Sequence, residues 1–262
     1  HADRSHGLKG LCGVSSDIMA ARAALHFWEE PCISGTDGSG AVFFSGCCMH
    51  CVFCQNRAIS HGQSGKIISI DRLTDIFLSL QEKGAGNINL VTPDHYMPSI
   101  ACALDNAEKN GLKIPVIANT GSYTGQEVLE LMKNRIDVFL PDLKYMDPEL
   151  SERYSRAPDY FKTASEAIRK MHSFQPDIVF DERGMIRNGL IVRHLILPGH
   201  TRDSISILNY LHDEYGDSIY ISIMNQYTPV RKFKNYKELN NTISDNEYNN
   251  IIDYDFFVEN MK

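Results

Sequence analysis

The sequence predicts an α/β fold built on a mostly parallel sheet, and three observations carry that reading. Short apolar runs alternate with longer segments whose apolar residues recur at helical spacing. Several of the helical segments stop at a glycine, a common helix end. The 262 residues are 43% hydrophobic and 23% charged, which is ordinary for one globular domain with a sizeable core.

The elements follow in order. Val42–Phe44 is a short apolar strand running into Gly46. Asp71–Lys83 carries Leu73, Ile76, Phe77 and Leu80 on one helical face and ends at Gly84. Ile88–Val91 is the second strand, and Pro98–Asn110 is a helix closed by Gly111. Ile114–Ala118 is the third strand, followed by a helix over Thr124–Lys133 with Val128, Leu131 and Met132 on one face. Val138–Leu143 is the fourth strand, and a helix covers about Tyr160 to His172. A small hairpin around Asp181–Asn188 precedes the fifth strand, Leu190–Leu197. Thr201 caps a helix bearing Ile205, Leu208 and Leu211, and Ile219–Met224 is the sixth strand. The polar tail after Lys232 ends in a helix from Asn246. Six strands separated mostly by helices call for right-handed crossovers. Strands alone do not distinguish an open doubly wound sheet from a barrel.

Chemistry concentrates in Ser45-Gly46-Cys47-Cys48-Met49-His50-Cys51-Val52-Phe53-Cys54. Cys47, Cys51 and Cys54 have the spacing C-x3-C-x2-C. Three thiolates on one short loop can wrap three corners of a cubane iron–sulfur cluster. The fourth iron then lacks a protein ligand, whereas electron-transfer clusters are held by four. The rival is structural zinc, with His50 or His61 as a fourth ligand. A structural zinc site usually draws on two separated ligand pairs, and no second pair follows. Cys48 breaks the spacing and reads as a non-ligand, although a swap with Cys47 is open from local sequence. Cys12, Cys32 and Cys102 are scattered; buried free cysteine is common and is the reading for Cys32 and Cys102, while Cys12, after Gly10-Leu11, is open as part of an incomplete site.

This loop resembles the signature of the radical S-adenosylmethionine (SAM) superfamily. Gly46-Cys47, Cys51–Asn56, Asp142-Leu143-Lys144 and the run from Arg193 to Gly199 resemble the branch around pyruvate formate-lyase activating enzyme, over roughly residues 8–230. The resemblance implies a partial (β/α)6 barrel over 41–230. An N-terminal extension, 1–40, would pack on it, and 231–262 would form a largely helical tail. It implies a 4Fe–4S cluster on Cys47, Cys51 and Cys54, with SAM on the open iron. It also implies cleavage of SAM to a 5′-deoxyadenosyl radical. A reductant such as flavodoxin or ferredoxin would supply the electron, and a glycyl-radical enzyme would be the substrate. A small molecule or peptide is the alternative substrate, and a non-catalytic iron–sulfur or zinc protein the remote one.

Active sites of such barrels lie at the C-terminal ends of the strands, and the remaining candidates fall there. The resemblance places Phe53 beside the adenine. Thr92-Pro93-Asp94 stands where relatives often carry Gly-Gly-Glu for the SAM amino group; a proline-containing turn is the plainer reading. Asn119 and Thr120 stand where activating enzymes bind a monovalent cation, with Asn119 in place of the charged residue. Asp142 and Lys144 are two apart, so alternation sends both into the mouth; a mutual salt bridge is the plainer reading. Arg193 suits a carboxylate, while His194 faces the other way and serves packing or support. Asn225 and Gln226 follow the last strand and suit adenine or ribose.

Other classes fit less well. The net charge of −7 argues against a nonspecific nucleic-acid partner. No run is long and apolar enough to span a membrane, and no signal peptide is visible. Seven cysteines without a secretory pattern point to a reducing compartment, and hence the cytoplasm. No phosphate-binding glycine loop or nucleophile elbow is found.

Overall fold

The computed structural model describes residues 8–259, with side chains to 253. The outermost parts of the expected extension and tail, 1–7 and 260–262, lie outside the described residues. The chain runs through β1 (Met19–His26), α1 (Pro31–Ser34), β2 (Ser39–Phe44), α2 (Arg57–Ser60), β3 (Lys66–Ile67) and α3 (Ile70–Glu82). Then come β4 (Ile88–Val91), α4 (Met97–Lys109), β5 (Val116–Thr120), α5 (Gln126–Met132) and β6 (Val138–Pro141). The rest is α6 (Pro148–Ser155), α7 (Tyr160–Phe174), β7 (Val179–Phe180), β8 (Ile186–Leu195), α8 (Thr201–Tyr215), β9 (Tyr220–Met224) and α9 (Asp245–Glu259).

Strands β2, β4, β5, β6, β8 and β9 pair in that order, each parallel to the next. Helices connect them, as parallel strands require. This is the expected α/β architecture, consistent with a partial barrel.

Each strand presents two apolar faces with different partners. Val42, Phe44, Leu90, Ala118, Phe139 and Val192 pack in one cluster with Leu73 and Phe77 of α3 and with the other helices. The alternate residues Ile117, Val138, Leu140 and Ile191 pack in a second cluster with Ile33 of α1. Full burial of each such side chain contributes about 1.5–3 kcal/mol. Ile33 is held where its carbonyl accepts from the Asn87 side-chain amide at 2.8 Å, and Asn87 accepts from Ser39 Oγ at 2.6 Å. Gly40 of β2 has no room for a side chain: a Cβ there would lie 2.8 Å from the Asn87 carbonyl oxygen.

Several boundaries differ from the sequence reading. The N-terminal extension contains a full strand, β1, antiparallel to β2, with β3 on its far edge. Its run Met-Ala-Ala-Arg-Ala-Ala-Leu-His is alanine-rich and only half-buried, so no strand-like alternation marks it. The third parallel strand starts at Val116, because Pro115 has no N–H for the ladder, and continues through Thr120. Asn119 and Thr120 are therefore in β5 rather than after it. The expected hairpin is β7 against the start of β8, so the fifth strand begins at Ile186. β6 ends at Pro141, and Asp142 continues it only by one isolated bridge to Arg193. Thr201 is the first residue of α8; the cap position belongs to His200, whose side chain makes no capping bond.

Candidate cofactor site at the barrel mouth

The cysteine loop leaves β2 through Gly46, whose φ is +92°. A Cβ at Gly46 would stand 2.7 Å from Val14 Cγ2 and 2.8 Å from the Cys12 carbonyl oxygen. The loop is then pinned on both sides: Gly46 N–H donates to the Ile59 carbonyl, and Val52 N–H to the Tyr154 carbonyl.

Within the loop the thiols of Cys47, Cys48 and Cys51 differ. Cys47 is held well below the ordinary thiol range, chiefly by a hydrogen bond from the Cys48 thiol; Met49 and His50 N–H groups and the Lys144 ammonium add to this against burial. Cys48 is pushed the other way and lies 3.7 Å from the Tyr123 carbonyl oxygen. Burial pushes Cys51 up to about 11, against the pull of Lys144. The Ser155 hydroxyl donates to Cys51 Sγ at 3.0 Å.

Two residues above the apolar inner cluster, the same strand faces turn charged. Asn119 follows Ile117, Asp142 follows Leu140, and Arg193 follows Ile191, each at a spacing of two. Arg193 donates to Asp142 Oδ1 at 2.8–2.9 Å and to Asn119 Oδ1 at 2.7 Å, and pairs with Glu29 Oε2 at 3.3 Å. Lys144 Nζ holds Asp142 Oδ2 at 2.5 Å. Burial alone would raise the Asp142 carboxyl, but Arg193 and Lys144 outweigh it and hold it below the usual range. For Glu29 burial wins over Arg193, and the carboxyl is raised. Tyr160 Oη donates to the Asp142 carbonyl at 2.7 Å and accepts from Lys144 N–H at 3.0 Å, which fixes the turn between the two charged residues.

The loop and this network are neighbours. A methyl placed on Gly121 would stand 3.7 Å from Lys144 Cε and 3.8 Å from Met49 Cγ. Lys144, and through it Asp142 and Arg193, thus stands beside the cysteine loop.

The remaining candidates have partners of their own in the structure. The Phe53 ring is buried among Tyr145, Tyr154 and Tyr227 at 6.1–6.5 Å, a loop packing compatible with a backbone contact to adenine. Asp94 accepts from the Thr120 hydroxyl at 2.7 Å and from the Thr124 hydroxyl. Thr92 carries φ +58°, unusual for a β-branched residue, and donates its N–H to the Asn119 carbonyl. Asn119 Oδ1 and the Thr120 hydroxyl, the expected cation ligands, are committed to Arg193 and Asp94. Asn225 and Gln226 are exposed and line a cavity of about 250 Å³ together with Arg193. His194, opposite Arg193, is buried between the Leu143 carbonyl at 2.8 Å and Ser204 Oγ at 2.9 Å. Of the two histidines the zinc alternative named, His50 has its Nε2 2.6 Å from the Leu11 carbonyl oxygen. Among the described residues no three His, Cys, Asp or Glu side chains gather as one metal ion requires. A cubane asks for something else, since each thiolate takes a different iron.

The sequence reading missed Glu29, Glu30 and Ser222. Ser222 Oγ donates to Glu30 Oε1 at 3.0 Å, tying the segment before α1 to β9. The run Trp28-Glu29-Glu30, holding the one tryptophan of the chain, was the available signal.

A sequence model described as the Radical SAM superfamily matches residues 41–211. The chain belongs to the radical SAM superfamily. Membership implies a 4Fe–4S cluster and SAM as cofactors. The donor set fits that cluster: three thiols on one clamped loop, one favouring its anion, with a buried ammonium beside them. Uncharacterized protein MJ0674 of Methanocaldococcus jannaschii is 28% identical over 245 residues, covering 90% of this chain and 66% of that protein. The chain thus spans just under two thirds of that relative. Crystal structures of Streptococcus suis SuiB, one of them with SAM bound, superpose with TM-scores of 0.50 at 16% identity. They cover 80–81% of this chain and 43–44% of SuiB, and at that identity they speak to the fold alone. No helix among the described residues is long and apolar enough to cross a membrane.

Proposed function

We propose that this protein binds SAM across the barrel mouth and uses it to remove hydrogen from a substrate. The adjacency of the cysteine loop and the Asp142–Lys144–Arg193 network carries this reading: Met49 and Lys144 lie within 4 Å of the Gly121 position, and two ion pairs lead from Lys144 through Asp142 to Arg193. Cys47, Cys51 and Cys54 would hold the cluster. Lys144 and Arg193 would meet the SAM carboxylate, and the Thr92-Pro93-Asp94 turn its amino group. Asn225 and Gln226 would contact ribose or adenine, with the Phe53 backbone. When bound, the cluster would supply the electron for reductive cleavage of SAM. The protein positions SAM and excludes water, and a flavodoxin or ferredoxin serves as reductant.

Two substrates compete. Activation of a glycyl-radical enzyme is supported by the resemblance of Asp142-Leu143-Lys144 and the Arg193–Gly199 run to activating enzymes. A small molecule or peptide side chain is favoured by one observation: Glu29 and Glu30 reach Arg193 and Ser222, so the N-terminal segment narrows the lateral opening a protein loop would use. Anaerobically reconstituted protein, given dithionite and SAM, is expected to release 5′-deoxyadenosine. Absence of this product with a full cluster would sink the proposal. A glycyl-radical doublet on mixing with glycyl-radical enzymes would decide for the activase reading.

A further inference from the structure

A serine inside a helix usually returns its hydroxyl to the helix. Ser60, Ser151, Ser165, Ser173 and Ser206 do so, each donating to a carbonyl of its own helix at 2.7–3.2 Å. Ser155, the last residue of α6, turns away instead. Its hydroxyl reaches out to Cys51 Sγ at 3.0 Å, and Tyr145 Oη lies 2.8 Å from its oxygen. Both residues are sealed from solvent, Ser155 at 4% exposure and Tyr145 at 0%. Two backbone features hold the contact. Arg156 takes a left-handed conformation, φ +55°, and ends the helix there. The Tyr154 carbonyl accepts from Val52 N–H at 2.9 Å, which docks the cysteine loop on the helix end.

The direction of each hydrogen bond follows from valence. A Cys51 that ligates iron carries no hydrogen on sulfur, so only Ser155 can donate across that contact. This spends the one serine hydrogen, and Tyr145 is left to donate to the serine oxygen. The result is a buried relay from Tyr145 through Ser155 to sulfur, in which each bond polarises the next. Cys47 differs: it takes its hydrogen bonds from the main-chain N–H groups of Met49 and His50, which any residue but proline supplies. Cys51 takes its donor from a side chain placed for it. Hydrogen bonds to the sulfurs are one of the levers on an iron–sulfur potential. Reduction adds negative charge, so a donor aimed at sulfur stabilises the reduced form more than the oxidised one.

We infer that Ser155, backed by Tyr145, is a positioning residue for the electron-transfer step: its hydroxyl donates to the Cys51 sulfur and makes a cluster held there easier to reduce. The inference rests on the proposed function for Cys51 as a cluster ligand and adds a group that tunes the potential.

Potentiometric titration of the reconstituted protein, followed by paramagnetic resonance, reads that potential without turnover. Ser155→Ala should shift the reduction equilibrium about tenfold toward the oxidised form, about 59 mV more negative for a one-electron couple. Tyr145→Phe keeps the ring, removes only the far donor and should shift the potential the same way by less. Ser151→Ala, one turn earlier on the same buried face of α6, should leave the potential where it is. A Ser155→Ala potential equal to the parent's, a shift to more positive values, or an equal shift in Ser151→Ala would each overturn the inference. Should Ser155→Ala lose its iron, Tyr145→Phe decides: a smaller negative shift upholds the relay, and an unmoved potential ends it. A parent protein that assembles no cluster breaks the proposed function and this inference together, whereas a cluster indifferent to Ser155 and Tyr145 breaks the inference alone.

Discussion

The inner face of the sheet holds two regions that differ only by one step along the same strands. Lower down, Ile117, Leu140 and Ile191 close on Ile33 in an apolar plug. Two residues higher, Asn119, Asp142 and Arg193 form a charged ring with Lys144 and Glu29. Strand geometry is the same in both; only the side chains change. The plug stabilises the fold by burial. The ring holds charges that cost desolvation, repaid only by close pairing. A polar ring maintained at that cost directly above a finished core supports the proposal that SAM binds there.

The most severe break of this contrast lies in the loop over the ring. Cys47→Ala, Cys51→Ala and Cys54→Ala should each reduce reconstituted iron to background, from about four irons for a cubane. Cys48→Ala should keep the cluster, because its thiol serves Cys47 and the Tyr123 carbonyl. Iron and sulfide assays with paramagnetic resonance check this. Loss of iron in Cys48→Ala alone would reassign the ligands.

Next in size is the pair that tests ring against plug. Arg193→Ala leaves Glu29 without its cation and Asp142 with Lys144 alone, at a cost of about 3–5 kcal/mol. Leu140→Ala opens the plug at about 2–5 kcal/mol. Urea unfolding should therefore register both. SAM affinity, measured by calorimetry on folded protein, should drop more than tenfold only for Arg193→Ala. Equal SAM affinities in the two variants would mean that the ring is structural.

A milder test uses the neighbour of Arg193. His194 points out of the barrel, and burial pushes its pKa down to about 4. The unfolded chain takes up that proton near pH 6.5, while the folded protein resists until about 4. The unfolded state therefore binds more protons within that window, and stability falls as pH drops through it. The loss reaches about 3 kcal/mol at the acid end. His194→Gln should flatten this part of the pH profile in urea titrations, with lower stability at pH 7 from the lost hydrogen bonds. An unchanged slope would show that other groups govern it.

Much of this contrast was legible beforehand. Period-two alternation put Asp142 and Lys144 together, sent Arg193 inward and turned His194 away, because spacing alone fixes the face of a strand residue. The cysteine spacing carried the cofactor. What could not be read were contacts between segments far apart in sequence. Glu29 meets Arg193 across 164 positions and Glu30 meets Ser222 across 192, and nothing local in Trp-Glu-Glu-Pro announces either. The packing partners of Phe53 were hidden for the same reason: the rings around it come from Tyr145, Tyr154 and Tyr227. The strand β1 stayed hidden because its alanines give no alternation of size or polarity.

The smallest effect sits at the rim of the ring. Thr92 keeps φ +58°, which a β-branched residue adopts only under constraint, here the N–H bond to the Asn119 carbonyl and the tight turn into Pro93. Glycine takes that conformation without strain, so Thr92→Gly should raise stability by about 1 kcal/mol, or roughly 2–4 °C in Tm for a chain of this length. The side chain tips the balance the other way if its hydroxyl touches SAM. A variant that is more stable but binds SAM more weakly would show strain retained for a ligand contact. A variant that gains stability with unchanged SAM affinity would assign the role to the backbone of the turn, leaving the Thr92 hydroxyl outside the ring's chemistry. A variant that loses stability would show that Thr92 is not strained, and the backbone argument at this position would fail.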